Sequence, residues 1–227
     1  MIKSFKPVYS ILPEAQKQIW PQLKEIKSLG FVLYGGTALA LRYGHRQSID
    51  FDFFTDQPLD HDKIVKFLPC AHHAEVLQSQ KNAYTLLIPV DENYVKISFF
   101  GTLEFGRVGI PELTWDKNIL VASQEDILAT KLKTILQRVE VKDYIDITSL
   151  LEHGMSLEYG LASTVALFGK TFSPVDCLRA LEYFDDPALK TLSESYKLVL
   201  KKEITNVLSN RNLPPVKIVS KTLSAPL

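Results

Sequence analysis

The sequence predicts an α+β fold, a mixed sheet flanked by helices and followed by a helical C-terminal region, and three observations carry that expectation. Strand-length runs rich in β-branched and aromatic residues crowd the first half, helix-period segments separate the earliest of them, and from Ser123 onward the helical period takes over. The expected division is residues 1–122 for the sheet-bearing core and residues 123–227 for the helical region.

Each element has its own signal. Residues 13–29 place Ile19, Leu23, Ile26 and Leu29 at helical spacing, with Pro13 at the start, Gly30 as the stop and Pro21 as a point for a kink. FVLY (31–34) reads as a strand, Gly35-Gly36 as a turn, and TALALRY (37–43) as a helix of good formers. IDFDFF (49–54) alternates aspartate with apolar residues, so Asp50 and Asp52 share one strand face. DHDKIVKFL (60–68) is helical by period. HAEVLQ (73–78), AYTLLIPV (83–90) and YVKISFF (94–100) are strands separated by polar turns, which favours antiparallel or mixed pairing, and ILVA (119–122) is one more strand. SQEDILATKLKTILQR (123–138) keeps Ile127, Leu128, Leu132, Ile135 and Leu136 at helical spacing, and the helices after it are punctuated by Gly154, Gly169 and Pro174. The tail with Pro214, Pro215 and Pro226 is a loop or a docked extension.

Composition narrows the function classes. The 227 residues carry 26 Lys plus Arg against 26 Asp plus Glu, divided 13 and 13 of each sign between residues 1–120 and 121–227. No bulk charge draws the chain to nucleic acid or to an anionic membrane, so an anion site must be local. Cys70 and Cys177 stand far apart and alone, which fits a reducing cytosol. No stretch approaches the roughly 20 apolar residues that span a bilayer, and no basic-then-apolar leader opens the chain. The expectation is a soluble, cytoplasmic protein without membrane contact. Cys70-Ala71-His72-His73 lacks the second ligand pair of a structural zinc site.

The chemistry concentrates in YGGTALALRYGHRQSIDFDFF (34–54). Two glycines ahead of a helix let the backbone come close to a ligand, and the free N–H groups and positive dipole at that helix start favour a phosphate, with the Thr37 hydroxyl as a further donor. Taken alone, Gly35-Gly36-Thr37 also reads as a tight turn with Thr37 as an ordinary N-cap. Asp50 and Asp52 lie about 6.5–7 Å apart at Cα and point the same way, so they can share hard cations such as Mg²⁺ or Mn²⁺; a solvated strand face is the alternative. Two like charges this close, flanked by Ile49, Phe51, Phe53 and Phe54, call for something positive between them, which favours the metal. Arg46 is the anion contact of the intervening loop.

With Arg46 and Ser48 just ahead of the acids, this stretch resembles the AbiEii/AbiGii family of abortive-infection toxin nucleotidyltransferases, within the DNA polymerase β-like superfamily. KLKTILQRVEVKDYIDITSLL (131–151) is similar to the family's second pattern: a Lys, an Arg, then Lys-Asp with another Asp three residues on. The resemblance implies a nucleotidyltransferase-like core with Asp50 and Asp52 as catalytic metal ligands. It sets Gly35, Gly36, Thr37, Arg46, Ser48 and Lys96 against the phosphates of a nucleoside triphosphate. From the helical region it adds Lys131, as a catalytic, phosphate-binding lysine, together with Arg138, Lys142, Asp143 and Asp146. Spacing supports this independently: Lys131 and Arg138 are seven residues apart, about two helical turns, so they share a face, and Asp143 and Asp146 are a turn apart at the start of the next helix. Surface charge with Asp143 as a cap is the alternative. The resemblance further implies transfer of an NMP to an acceptor hydroxyl, an RNA such as tRNA as acceptor, a cognate antitoxin, and a toxin-antitoxin or phage-defence setting.

One position departs from the superfamily. Its Lys-x-Asp pattern aligns with Lys96-Ile97-Ser98, leaving Ser98 where a third carboxylate is expected, and serine is no base at neutral pH without help. Another acid then serves, with Glu104 and Asp143 as candidates, or the acceptor needs none, or the protein is a nucleotide-binding sensor or interaction module with little transfer. Transfer to a small-molecule or protein hydroxyl is a third reading that neutral composition permits.

Overall fold

Eight strands form one mixed sheet in the computed structural model, which describes residues 2–210 and 212–224. They are β1 (Ser4–Phe5), β2 (Val32–Tyr34), β3 (Asp50–Phe54), β4 (Glu75–Gln80), β5 (Ala83–Val90), β6 (Asn93–Phe100), β7 (Glu112–Thr114) and β8 (Leu120–Val121), in the order β1-β7-β8-β2-β3-β6-β5-β4. All belong to one compact unit, Met1–Ser123 with Ser220–Leu227. β3 is central, antiparallel to β2 and parallel to β6, while β4, β5 and β6 pair antiparallel. β1 and β7 were not expected from the sequence. At two and three residues they are too short for an alternating pattern to register, and they hold one another in parallel at Ser4↔Leu113 and Phe5↔Thr114.

The two faces of β3 differ, and that difference positions the candidate site. Phe51 and Phe53 are fully buried on one face, where Phe53 stacks on Phe99 of β6 at 5.6 Å between ring centres and Phe31 meets Phe99 edge-on at 5.1 Å. Each such ring contributes about 1.5–3 kcal/mol by burial. Asp50, Asp52 and Phe54 take the opposite face by the two-residue period.

Helices of this unit follow their local sequence closely. The helix expected over residues 13–29 is α-helical only in α1 (Glu14–Ile19) and continues as a 3-10 helix over Trp20–Leu29. Pro21 explains the change, because it has no N–H to give to the carbonyl four residues back. Gly30 ends the segment at φ 81°. α2 (Gly35–Tyr43) starts at the first glycine, so the glycines form its first turn and do not precede it; Gly44, at φ 66°, closes it with its N–H on the Ala40 carbonyl. α3 (His61–Phe67) is capped by Asp60, whose side chain accepts from the Lys63 N–H at 2.9 Å.

One carboxylate ties the N-terminal segment to the turn between β7 and β8. Asp116 accepts from the Tyr9 hydroxyl and the Trp20 indole N–H, both at 2.7 Å, from the Thr114 hydroxyl at 2.6 Å and from the Asn118 N–H at 3.0 Å. These donors outweigh the upward push of partial burial and hold its pKa below the ordinary value of 3.8.

The second unit, Gln124–Val219, is helical: α4 (Gln124–Thr134), α5 (Val141–Glu152), α6 (Leu157–Phe168), α7 (Pro174–Glu182) and α8 (Glu194–Ser209). Ser156, Ser173 and Ser193 cap α6, α7 and α8 by accepting a backbone N–H three residues on. Gly160 lets α6 approach α4, since a Cβ there would lie 2.6 Å from the Leu128 side chain. The helix expected across residues 123–138 stops at Thr134, which puts Arg138 in the loop before α5. No helix among the described residues is long and apolar enough to cross a membrane.

Candidate functional site

Where β2 gives way to α2, the chain turns through Gly35 at φ 72°, a conformation only glycine takes at little cost. Tyr34 at the N-cap supplies no side-chain capping bond to the first N–H groups of α2. A Cβ at Gly35 would lie 2.7 Å from Asp52 Oδ2. A Cβ at Gly36 would run into the Arg46 guanidinium and come within 3.2 Å of Ser48 Oγ. The missing side chains are therefore what allow a carboxylate and a guanidinium to close on the start of a helix, whose positive dipole end favours anions.

Thr37 is the third residue of α2 and not its N-cap. It is 1% exposed; its hydroxyl donates to the Asp50 carbonyl and lies 2.8 Å from Ser48 Oγ. Because Thr37 has one proton and a carbonyl only accepts, Ser48 is the donor in the second bond. The sequence offered this hydroxyl either to a phosphate or to an N-cap; in the structure it lies inward, where it fixes the first residue of β3 to α2.

Strand register assembles the rest. Asp50 lies opposite Lys96 and Asp52 opposite Ser98 on β6, with Lys96 Nζ 3.2 Å from Asp50 Oδ2. The next strand sets Thr85 opposite Ser98, with the hydroxyl oxygens 3.4 Å apart, and Ser98 is 4% exposed. A buried hydroxyl pair thus adjoins Asp52 where a carboxylate was expected. Glu104, one of the acids considered for that role, is exposed in the loop after β6. Its neighbour Phe105 was missed from the sequence: its ring meets Tyr34 edge-on at 6.3 Å and Phe54 at 6.5 Å, while Tyr34 stacks on Phe54 at 4.7 Å. These three rings line the face of β3 beside Asp52. The only sequence hint was the position of Tyr34 directly before the glycines.

The donor set suits a hard divalent cation. Two carboxylates share one strand face, but among the described residues no group of three or more His, Cys, Asp or Glu side chains is arranged to hold a metal. A cation here would complete its shell with phosphate and water oxygens, the usual habit of Mg²⁺. Arg46, Lys96, Asp50 and Asp52 sum to zero charge, so the locality suits a cation and a polyanion together.

In the second unit, Lys131, Arg138, Asp143 and Asp146 come together. Lys131 Nζ lies 2.7 Å from Asp143 Oδ1 and 2.6 Å from Asp146 Oδ2, both carboxylates fully buried at the start of α5. Arg138 Nε reaches Asp143 Oδ2 at 3.1 Å from a half-exposed position. Its proximity to Lys131 therefore comes through Asp143 and not from a shared helix face as the spacing suggested. Asp143 caps nothing, since Glu140 is the N-cap of α5. Lys142 joins this group only at one remove, pairing with Glu140, which also meets Arg138 at 3.3 Å.

Comparison with known proteins follows the same lines. The family model described as nucleotidyl transferase AbiEii toxin, type IV toxin-antitoxin system, matches residues 23–202. An uncharacterised protein of Aquifex aeolicus (strain VF5) is 32% identical over 204 residues, covering 81% of this chain and 95% of that protein. Among solved structures, the nucleotidyltransferase toxin MenT4 of Mycobacterium tuberculosis H37Rv superposes with a TM-score of 0.59 at 13% identity, over 86% of this chain and 83% of the other, a likeness of fold.

Proposed function

The chain belongs to the AbiEii family of nucleotidyltransferase toxins, and on that premise we propose that it moves an NMP from a nucleoside triphosphate to an acceptor hydroxyl, with a divalent metal on Asp50 and Asp52. The observation that supports this most is the approach of the Asp52 carboxylate to Gly35 at the start of α2, where the N-cap residue Tyr34 gives no side-chain capping bond. The backbone N–H groups of Gly35 and Gly36 bind the distal phosphates, and Arg46 offsets their charge. Thr37 and Ser48 act behind them, by fixing the Asp50 backbone. Lys96 holds Asp50 in place before substrate arrives and neutralises phosphate charge afterwards.

The metal, when bound, supplies Lewis-acid charge to the phosphoryl oxygens and lowers the pKa of the attacking hydroxyl. The acceptor oxygen bonds to the α-phosphorus as the bond to the α,β-bridging oxygen breaks; pyrophosphate leaves, and the acceptor proton passes to water or to pyrophosphate. Ser98 takes no part as a base. In the second unit, the proposed role of Lys131 and Asp146 is to hold Asp143, and through it the half-exposed Arg138 guanidinium, for nucleotide recognition. The proposed acceptor is an RNA such as tRNA, the proposed setting the cytoplasm, and the proposed partner a cognate antitoxin. A second reading, nucleotide binding without transfer, is favoured by one observation: the neighbour of Asp52 on β6 is a buried serine.

The test is incubation with Mg²⁺, each α-labelled NTP, and separately tRNA, protein and small-molecule fractions, alongside an Asp50→Ala, Asp52→Ala variant. Label should pass to tRNA and fall by about a thousandfold in the variant. Transfer that survives the double substitution sinks the metal assignment, and calorimetric NTP binding with no transfer to any fraction supports the second reading.

A further inference from the structure

Resting on the nucleotidyltransferase reading, we propose that Ser220–Ser224 is a positioning latch for the nucleotide site, acting through Arg107 and Phe105. The segment has no helix or strand of its own, and such stretches stay solvated unless something ties them down. Here it is tied at three points. Arg107 and Ser220 exchange backbone hydrogen bonds, at 2.9 Å and 3.4 Å. The Arg107 guanidinium, on a residue 7% exposed, donates from Nε to the Thr222 carbonyl at 3.2 Å and from Nη1 to the Gly109 carbonyl at 2.8 Å. Leu223 is fully buried, and its N–H donates to Asp56 Oδ1 at 3.3 Å.

What the latch grips matters more than how tightly it grips. Asp56 lies two residues beyond the end of β3, and Arg107 lies two residues beyond Phe105. These two loops are also bonded to each other, from the Thr102 N–H to the Gln57 carbonyl at 2.9 Å and from the Leu103 N–H to the Thr55 carbonyl at 3.2 Å. Phe105 then passes the constraint inward, because its ring rests on Tyr34, which immediately precedes Gly35, and on Phe54, two residues past Asp52. Gly35 and Asp52, which close on each other in the site, are thus flanked by Tyr34 and Phe54, two stacked rings that both meet Phe105. A displacement of about 1 Å in such a constellation is enough to cost on the order of a hundredfold in function. Leu223, Arg107 and Phe105 touch no reacting atom in this scheme and are positioning residues.

The full chain is tested with Leu223→Ala, Leu223→Met, Phe105→Leu and the Leu223→Ala, Phe105→Leu pair, reading the NTP dissociation constant by calorimetry, KM and kcat for pyrophosphate release, and hydrogen exchange over residues 103–109. Leu223→Ala should speed exchange in that loop and raise Kd and KM together by about tenfold to a hundredfold, and Leu223→Met should restore both. Phe105→Leu should weaken binding alike, and the pair should be no worse than its worse member, because both act on one relay. Should Leu223→Ala fail to fold, Arg107→Lys, which keeps the charge but loses the planar fork, is expected to give the same rise. Faster exchange with an unchanged Kd, or additive losses in the pair, overturns the latch and leaves the nucleotide reading standing. A wild-type chain that binds no NTP overturns that reading and the latch with it.

Discussion

At Gly35 two demands meet in one atom's absence: the backbone needs φ 72°, and the Asp52 carboxylate needs the volume a Cβ would fill. Alanine there meets both penalties. The left-handed conformation alone costs about 1–2 kcal/mol, so Gly35→Ala should lower the urea midpoint and, by pushing Asp52 away, weaken NTP binding at least tenfold by calorimetry. Full affinity in a folded Gly35→Ala protein means the close approach is not part of the binding site. Ser98 poses the opposite question, because something is missing there and not merely tolerated. The Thr85 hydroxyl, 3.4 Å from Ser98 Oγ, is placed to donate to a carboxylate at that position. Ser98→Asp is expected to raise the initial rate of label transfer by about tenfold or more if an acid beside Asp52 is what limits the reaction. An unchanged rate in a folded variant puts the limitation elsewhere and removes the second reading's main support.

Among the elements, legibility follows the length over which a physical period can repeat. β5 was read at both ends because eight residues in a sheet interior give a sustained apolar run, whereas β1 and β7 offered two and three residues. The composition of residues 13–29 was right for a helix, yet the missing N–H of Pro21 decided which helix formed. The site divides in the same way. Asp50 and Asp52 were legible through strand alternation, Lys96 and Ser98 only through the family resemblance, and one strand register sets the four side by side. Phe105 and Leu223 were not, since only tertiary packing brings them to Tyr34 and Asp56. Asp116 is another tertiary clamp, and it makes a prediction in pH. Its carboxyl is held below the ordinary 3.8, so its contribution is complete above that value and is lost as pH falls through the lower, folded pKa. Asp116→Asn should therefore melt earlier than wild type near neutrality, with the gap narrowing below about pH 4 in a series of thermal scans. A gap that stays constant into acid assigns the loss to hydrogen-bond geometry and not to charge.

Across the whole molecule, the division into two compact units sets how a local injury spreads. The most exacting local interaction in the helical unit is Lys131, whose ammonium serves two fully buried carboxylates at once. Removing one partner of a buried ion pair costs about 3–5 kcal/mol, because the remaining charge stays desolvated. In Lys131→Met both Asp143 and Asp146 lose that ammonium, while Asp143 keeps Arg138 at 3.1 Å. Adding Asp146→Leu to Lys131→Met should then recover stability, because the charge and its lost partner leave together. Native-state hydrogen exchange locates the damage. Lys131→Met should lower protection of amides in α4 and α5 while β3, β5 and β6 keep theirs, and Asp116→Asn should do the reverse, since each cooperative unit opens with its own free energy. Equal loss of protection in both units from either substitution shows that they open as one, and then Lys131 would support the strand that carries Asp50 and Asp52 through global stability alone.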